Sequence, residues 1–103
     1  MDKRFTSAKL VAKSKLQKAM SVLDPHIHFI DQLMNMPGGP AHVLTINLLA
    51  AGVATGKWPR PELDYFLQLA AKKLSIQLDV LEAFAEFQIA TTELSVTMNG
   101  GRK

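Results

Sequence analysis

The apolar residues of this chain recur every three to four positions in five segments, and this spacing restricts it to helical folds. Prolines and glycines separate most of the segments, and β-branched residues never alternate with polar ones over a useful length, so no sheet is expected. The segments run over 7–23, from 24 to the breakers at 36–40, and over 41–54, 62–74 and 76–98. The sequence therefore predicts an all-α fold, a small bundle of about five helices.

The length of 103 residues predicts one helical domain over 1–103, with the basic N-terminal helix (about 1–23) included. Hydrophobic residues make up 48% of the chain, as is typical of a globular protein. The absence of cysteine excludes a disulfide framework and favours a cytoplasmic location. The most apolar stretch, 41–54, is shorter than the ~20 residues that a bilayer requires, so no membrane span is expected.

Two short motifs look like catalytic or ligand-binding elements. His26 and His28 resemble the metal-binding His-x-His of amidohydrolases, but on a helix they diverge by about 200°. The stretch from Gly52 to Lys57 resembles a phosphate-binding loop, but three residues instead of four separate its glycines and Trp58 follows the lysine. The sequence therefore predicts a protein that is not an enzyme and needs neither a cofactor nor a metal.

The fifth segment carries two apolar stripes about 170° apart, where a helix at the surface of a small bundle needs one. The third segment is apolar nearly all round, which predicts that it is the central helix. Because a chain of this length cannot easily enclose two helices, we expect the second stripe of the fifth segment to face a partner. The predicted protein interface consists of Leu78, Leu81, Ala85, Ile89 and Val96.

This second stripe predicts a small, non-enzymatic protein-interaction module, a regulator, adaptor or inhibitor. The partner is expected to be a second copy of the chain or a larger protein, and the simplest arrangement is a two-fold homodimer.

An alternative function comes from 62–98, where small and apolar residues around Ser75 resemble the helix-turn-helix of DNA-binding repressors. The resemblance implies a transcriptional regulator that binds nucleic acid with the help of the basic N-terminal segment. Asp79 and Glu82 in the would-be recognition helix depart from the pattern, since DNA binding relies on positive side chains. The nucleic-acid contacts expected under this alternative are Lys9, Lys13, Lys15, Lys18, Lys72, Lys73 and Gln77.

The positive charge is concentrated at the N-terminus, because residues 1–18 contain six lysine or arginine residues against Asp2 alone. The fifth segment carries an acidic line: Asp79, Glu82, Glu86 and Glu93. We expect the first helix to pack at least partly on the fifth, with burial of Leu16 and Leu23 deciding the packing and the charges only its orientation.

Overall fold

The structure is a computed structural model that describes residues 3–100, with the side chains of residues 7–98. The described chain is helical throughout except for short turns, so the predicted all-α class is confirmed. Its helices are α1 (Lys3–Leu23), α2 (Ile27–Met34), α3 (Gly39–Ala54), α4 (Arg60–Leu74) and α5 (Leu78–Gly100). Residues 1, 2 and 101–103 of the predicted domain lie outside the described part.

The prediction of about five separate helices is slightly off, because the bundle has four when α1 and α2 are counted as one continuous helical segment. A single 3-10 turn, Asp24–His26, joins α1 directly to α2, and the residues flanking this turn keep helical backbone angles. Pro25 lies at the start of the turn, where its missing N–H requires no partner. The proline therefore lies within one continuous helical segment and does not separate two helices.

The other breakers lie at helix boundaries, as their chemistry requires. Gly38 takes a left-handed conformation with φ of 80° before α3, and α4 begins with a proline in its first turn. The predicted break between the last two helices is confirmed: α4 ends at Leu74, and α5 begins at Leu78. Ser75 forms this break in the left-handed conformation, with φ of 56°.

The central helix of the bundle is α5, which packs against all four of the other helices. Its buried side chains point to both sides of its axis, with Val80 and Phe84 on one side and Leu81, Ala85 and Ile89 on the other. The prediction that α3 is central is therefore wrong. Both helices are largely apolar, but the chain covers both apolar stripes of α5 and leaves its acidic line and one side of α3 exposed.

The first helix packs on the last, as expected, and α1 with α5 forms the most extensive helix pair. Leu23 is buried and Leu16 half-buried, while Lys13, Lys15 and Lys18 remain exposed. Among residues 7–98 the ion pairs are both formed by Arg60, so the acidic line of α5 does not neutralise Lys9, Lys13, Lys15 or Lys18 by direct pairing. Apolar burial therefore holds the two helices together.

None of the helices in the described part of the chain combines the length and the apolar character needed to cross a bilayer.

Candidate functional site

The predicted interface on α5 is mostly inside the protein. Leu81, Ala85 and Ile89 belong to the chain's own hydrophobic core, Leu78 is half-buried and packs against that core, and Val96 alone is exposed. The prediction that these residues form an exposed face is therefore wrong. The reason is that α1 and α3 both pack on α5 and cover its two apolar stripes.

An exposed apolar surface is found on α3 instead. Leu44 and Leu48 are 59% and 64% exposed, although they lie in the middle of a sixteen-residue helix. They are one helical turn apart, so their side chains are adjacent on the same face. Val43, Ile46 and Ala50 on the opposite side of α3 are buried in the core.

Trp58 extends this row of side chains by one more turn. Gly52 follows Leu48 at the next turn of α3, and the Trp58 indole lies so close to Gly52 that an added Cβ would overlap it. The amides of Lys57 and Trp58 both donate hydrogen bonds to the carbonyl of Gly52, which folds the chain back over the end of α3. We call the side chains of Leu44, Leu48 and Trp58 the α3 ridge.

The helix that carries the α3 ridge has no charged side chain. From Gln32 to Gly56 the sequence has no lysine, arginine, aspartate or glutamate. Exposed apolar residues elsewhere can have charged neighbours: Leu10 lies beside Lys9 and one helical turn from Lys13. Isolated apolar residues among charges are ordinary surface, whereas an exposed ridge on an uncharged helix indicates a contact surface.

A second surface feature is a groove between α1 and the α3–α4 connection, with α5 as its floor. The groove has a volume of about 540 Å³. Ile89 and Ala90 of α5 form the floor, and α1 supplies one wall while the end of α3 and Arg60 supply the other. The groove exists because α1 packs chiefly on α5 and leaves a gap to the end of α3.

Arg60 links two helices at the end of this groove. Its Nε donates to Asp64 Oδ1 at 3.0 Å, and one of its terminal nitrogens pairs with Glu86 Oε1 of α5. Partial burial lowers the pKa of Arg60, but the hydrogen bonds and charges of Asp64 and Glu86 outweigh it and raise that pKa. The guanidinium is therefore engaged by two carboxylates.

The lysines predicted to contact nucleic acid do not converge on one surface. Lys15 and Lys18 line the same groove as Arg60. Lys72 and Lys73 are in the last turn of α4, roughly 18 Å from Arg60 along the helix axis. The two remaining lysines of the set are both on α1, where Lys13 is exposed and Lys9 half-buried.

The would-be recognition helix does not have the surface that DNA binding requires. Gln77 is exposed in the turn before α5, but Asp79, Glu82 and Glu86 form the exposed side of the helix that follows. An acidic line repels a phosphate backbone. No observation on this surface, within the described residues, favours the DNA-binding alternative, which stays a prediction.

The two ligand-like motifs have ordinary structural roles. In the Gly52–Lys57 stretch the amides of Lys57 and Trp58 are used to cap α3, so they are not available to a phosphate. His28 is exposed and its ring lies 3.9 Å from that of Phe29, measured between ring centroids. Within residues 3–100, no three His, Asp or Glu side chains are grouped as metal ligands would be.

Comparison of the chain with protein-family models, with curated proteins and with solved structures finds no match. Sequence reasoning missed both the α3 ridge and the groove. The signal for the ridge is the uncharged run from 32 to 56, but the same run also predicts an enclosed helix. The groove has no local signal, because it is lined by residues from four helices that are distant in sequence.

Proposed function

We propose that this protein is a small, non-enzymatic interaction module that forms a homodimer through the α3 ridge. The observation that carries the proposal is the exposure of Leu44 and Leu48 on a helix without any charged residue. Covering such side chains contributes about 25 cal/mol for each Å² removed from water. A partner that covers the ridge therefore gains more than one that covers the mixed, charged surfaces of α1 or α4.

A second copy of the chain is the partner that fits this surface best. In a two-fold dimer the same patch meets itself, so a charge close to the two-fold axis would face its own copy. The face of α3 carries none, and self-pairing therefore meets no electrostatic opposition. Ala41 and Ala51 flank the ridge with small side chains, which allow two helices to approach closely.

The ridge is smaller than the surface of an obligate dimer. Stable, specific interfaces bury about 800 Å² on each partner, and one helix face with Trp58 at its end supplies only part of this. We therefore expect a reversible dimer whose population rises with protein concentration. The buried core of each copy is complete without the partner, so the monomer stays folded.

The test is the molar mass by sedimentation equilibrium over a range of concentrations, for the unmodified chain and for Leu48→Glu. We expect concentration-dependent dimers for the former and monomers for the latter, because the new carboxylates would meet across the two-fold axis. Leu10→Glu is the matched control, since Leu10 is 63% exposed on α1 and Leu48 64% exposed on α3. Circular dichroism shows whether each variant keeps its helices.

Two results would overturn the proposal. One is a chain that stays monomeric at millimolar concentration, and the other is a dimer that survives Leu48→Glu as well as it survives Leu10→Glu. If Leu10→Glu dissociates the dimer instead, the interface lies on α1.

A further inference from the structure

The groove beside α1 has the size and shape of a small-molecule site. Its volume of about 540 Å³ falls within the range of ~300–1,000 Å³ that ligand pockets commonly have. Its walls and floor are largely apolar and are made by alanine, valine and isoleucine side chains: Ala19, Val22, Val53, Ala54, Ile89 and Ala90. None of these residues belongs to the α3 ridge, so the groove is a separate feature.

Charged side chains surround this apolar floor, and they come from opposite walls. Lys15 and Lys18 come from α1, three residues apart and therefore on neighbouring positions of one helix face. Glu86 and Glu93 come from α5, and Arg60 stands at the start of α4. The groove thus combines an apolar interior with the two lysine side chains of α1 along one edge.

Three basic and two acidic side chains line the groove, and Asp64, outside the lining, adds a third carboxylate through its ion pair with Arg60. Arg60 and Glu86 form an ion pair with each other. Of the remaining lining groups, Lys15 and Lys18 have Glu93 alone as a counter-charge, so the excess positive charge lies at this lysine pair and not over the whole groove. The other lysines of α1 make the surrounding potential more positive.

We propose that this groove binds a small amphipathic monocarboxylate, with its carboxylate between Lys15 and Lys18 and its apolar body against Ala54, Ile89 and Ala90. One carboxylate supplies the single negative charge that the two lysines lack, and the apolar body packs on the apolar side chains that line the groove. A cation of the same shape should not bind, because both lysines repel it. An uncharged analogue should bind more weakly, because it leaves the charge of the lysines unmatched.

Binding is measured by titration calorimetry with decanoate as the probe, below the concentration at which it forms micelles. Decanol and decyltrimethylammonium have the same apolar body with no charge and with a positive charge. We expect saturable binding of decanoate, at least tenfold weaker binding of decanol, and no binding of the cation. Methyl NMR signals of Ala19, Ala54 and Ala90 should shift during the decanoate titration, which places the probe in the groove.

Charge-matched variants separate the groove from general attraction to a basic helix. Lys15→Gln combined with Lys18→Gln should weaken decanoate binding at least tenfold, whereas Lys13→Gln combined with Lys72→Gln should leave it within about twofold. Both double variants remove the same charge from exposed positions, so both are expected to fold.

Several outcomes would overturn the assignment: no saturable decanoate binding, equal binding of the cationic analogue, equal loss in both double variants, or shifts confined to methyl groups outside the groove. Leu48→Glu, which tests the homodimer, should leave decanoate binding unchanged. The two proposals can therefore fail independently.

Discussion

At the scale of single residues, the contact between Gly52 and Trp58 determines how the α3 ridge ends. Gly52 is buried near the end of α3 because the indole of the chain's one tryptophan lies over it. A larger residue would normally favour the helix, since glycine costs ~1 kcal/mol relative to alanine in a helix interior. Glycine at position 52 therefore lowers helix stability but allows the Trp58 indole to pack against α3.

Gly52→Ala should displace Trp58, because the added methyl group would occupy the position of the indole ring. We expect tryptophan fluorescence to shift to longer wavelength and the free energy of unfolding to fall by about 1–2 kcal/mol, the overlap outweighing the gain in helix propensity. In a Trp58→Ala background the same substitution should be neutral or stabilising. An equal loss of stability in both backgrounds would show that the indole is not what requires glycine.

At the scale of elements, the turn between α4 and α5 sets how the central helix enters the bundle. Ser75 has φ of 56°, and the amide of Ile76 donates a 3.0 Å hydrogen bond to the carbonyl of Ala71, closing the end of α4. Left-handed conformation is unfavourable for residues with a Cβ and is the usual reason for glycine after a helix. The turn therefore carries serine at a strained position where glycine is usual.

Ser75→Gly should therefore stabilise the protein by about 0.5–1 kcal/mol, the relief of strain exceeding the extra freedom that glycine gives the unfolded chain. Ser95→Gly is the matched control, because Ser95 is exposed within α5 and the same change there should destabilise by about 0.5 kcal/mol. Chemical denaturation of the two variants measures both effects. A loss of stability at Ser75 would mean that the serine side chain contributes more than its backbone strain costs.

At the scale of the whole molecule, the fold is organised around one central helix, α5. The two apolar stripes of α5 are covered by α1, α3 and α4, so its core residues are buried within one chain. The outer side of α3 remains exposed. The effect of an interface mutation on the free energy of unfolding should accordingly change when the protein is diluted, whereas the effect of a core mutation should not.

Leu81→Ala tests this arrangement, because Leu81 is fully buried. We expect the free energy of unfolding to fall by about 2–5 kcal/mol, as for other leucine-to-alanine changes in cores, and by the same amount at every protein concentration. Leu10→Ala, at an exposed position, should change it by less than about 0.5 kcal/mol. A loss at Leu81 that diminishes with dilution would place this residue in an interface between copies, as the sequence pattern predicts.

The sequence by itself determined the helices of this protein, because apolar periodicity, prolines and glycines act over one or two turns. The predicted starts of α3, α4 and α5 lie within two residues of the observed ones, and the predicted break at Ser75 is confirmed without a glycine or proline to mark it. The packing of α1 on α5 also followed from the need of two amphipathic helices to cover their apolar stripes.

Only the tertiary structure decided which apolar helix is enclosed and where the exposed surface lies. Local sequence describes α3 as apolar nearly all round and α5 as carrying two apolar stripes with an acidic line between them. Which of them is enclosed depends on how many neighbours each one meets, and α5 meets every other helix while α3 keeps one side open. The α3 ridge and the groove beside α1 are consequences of that choice, because both are made by residues that come together only when the helices pack.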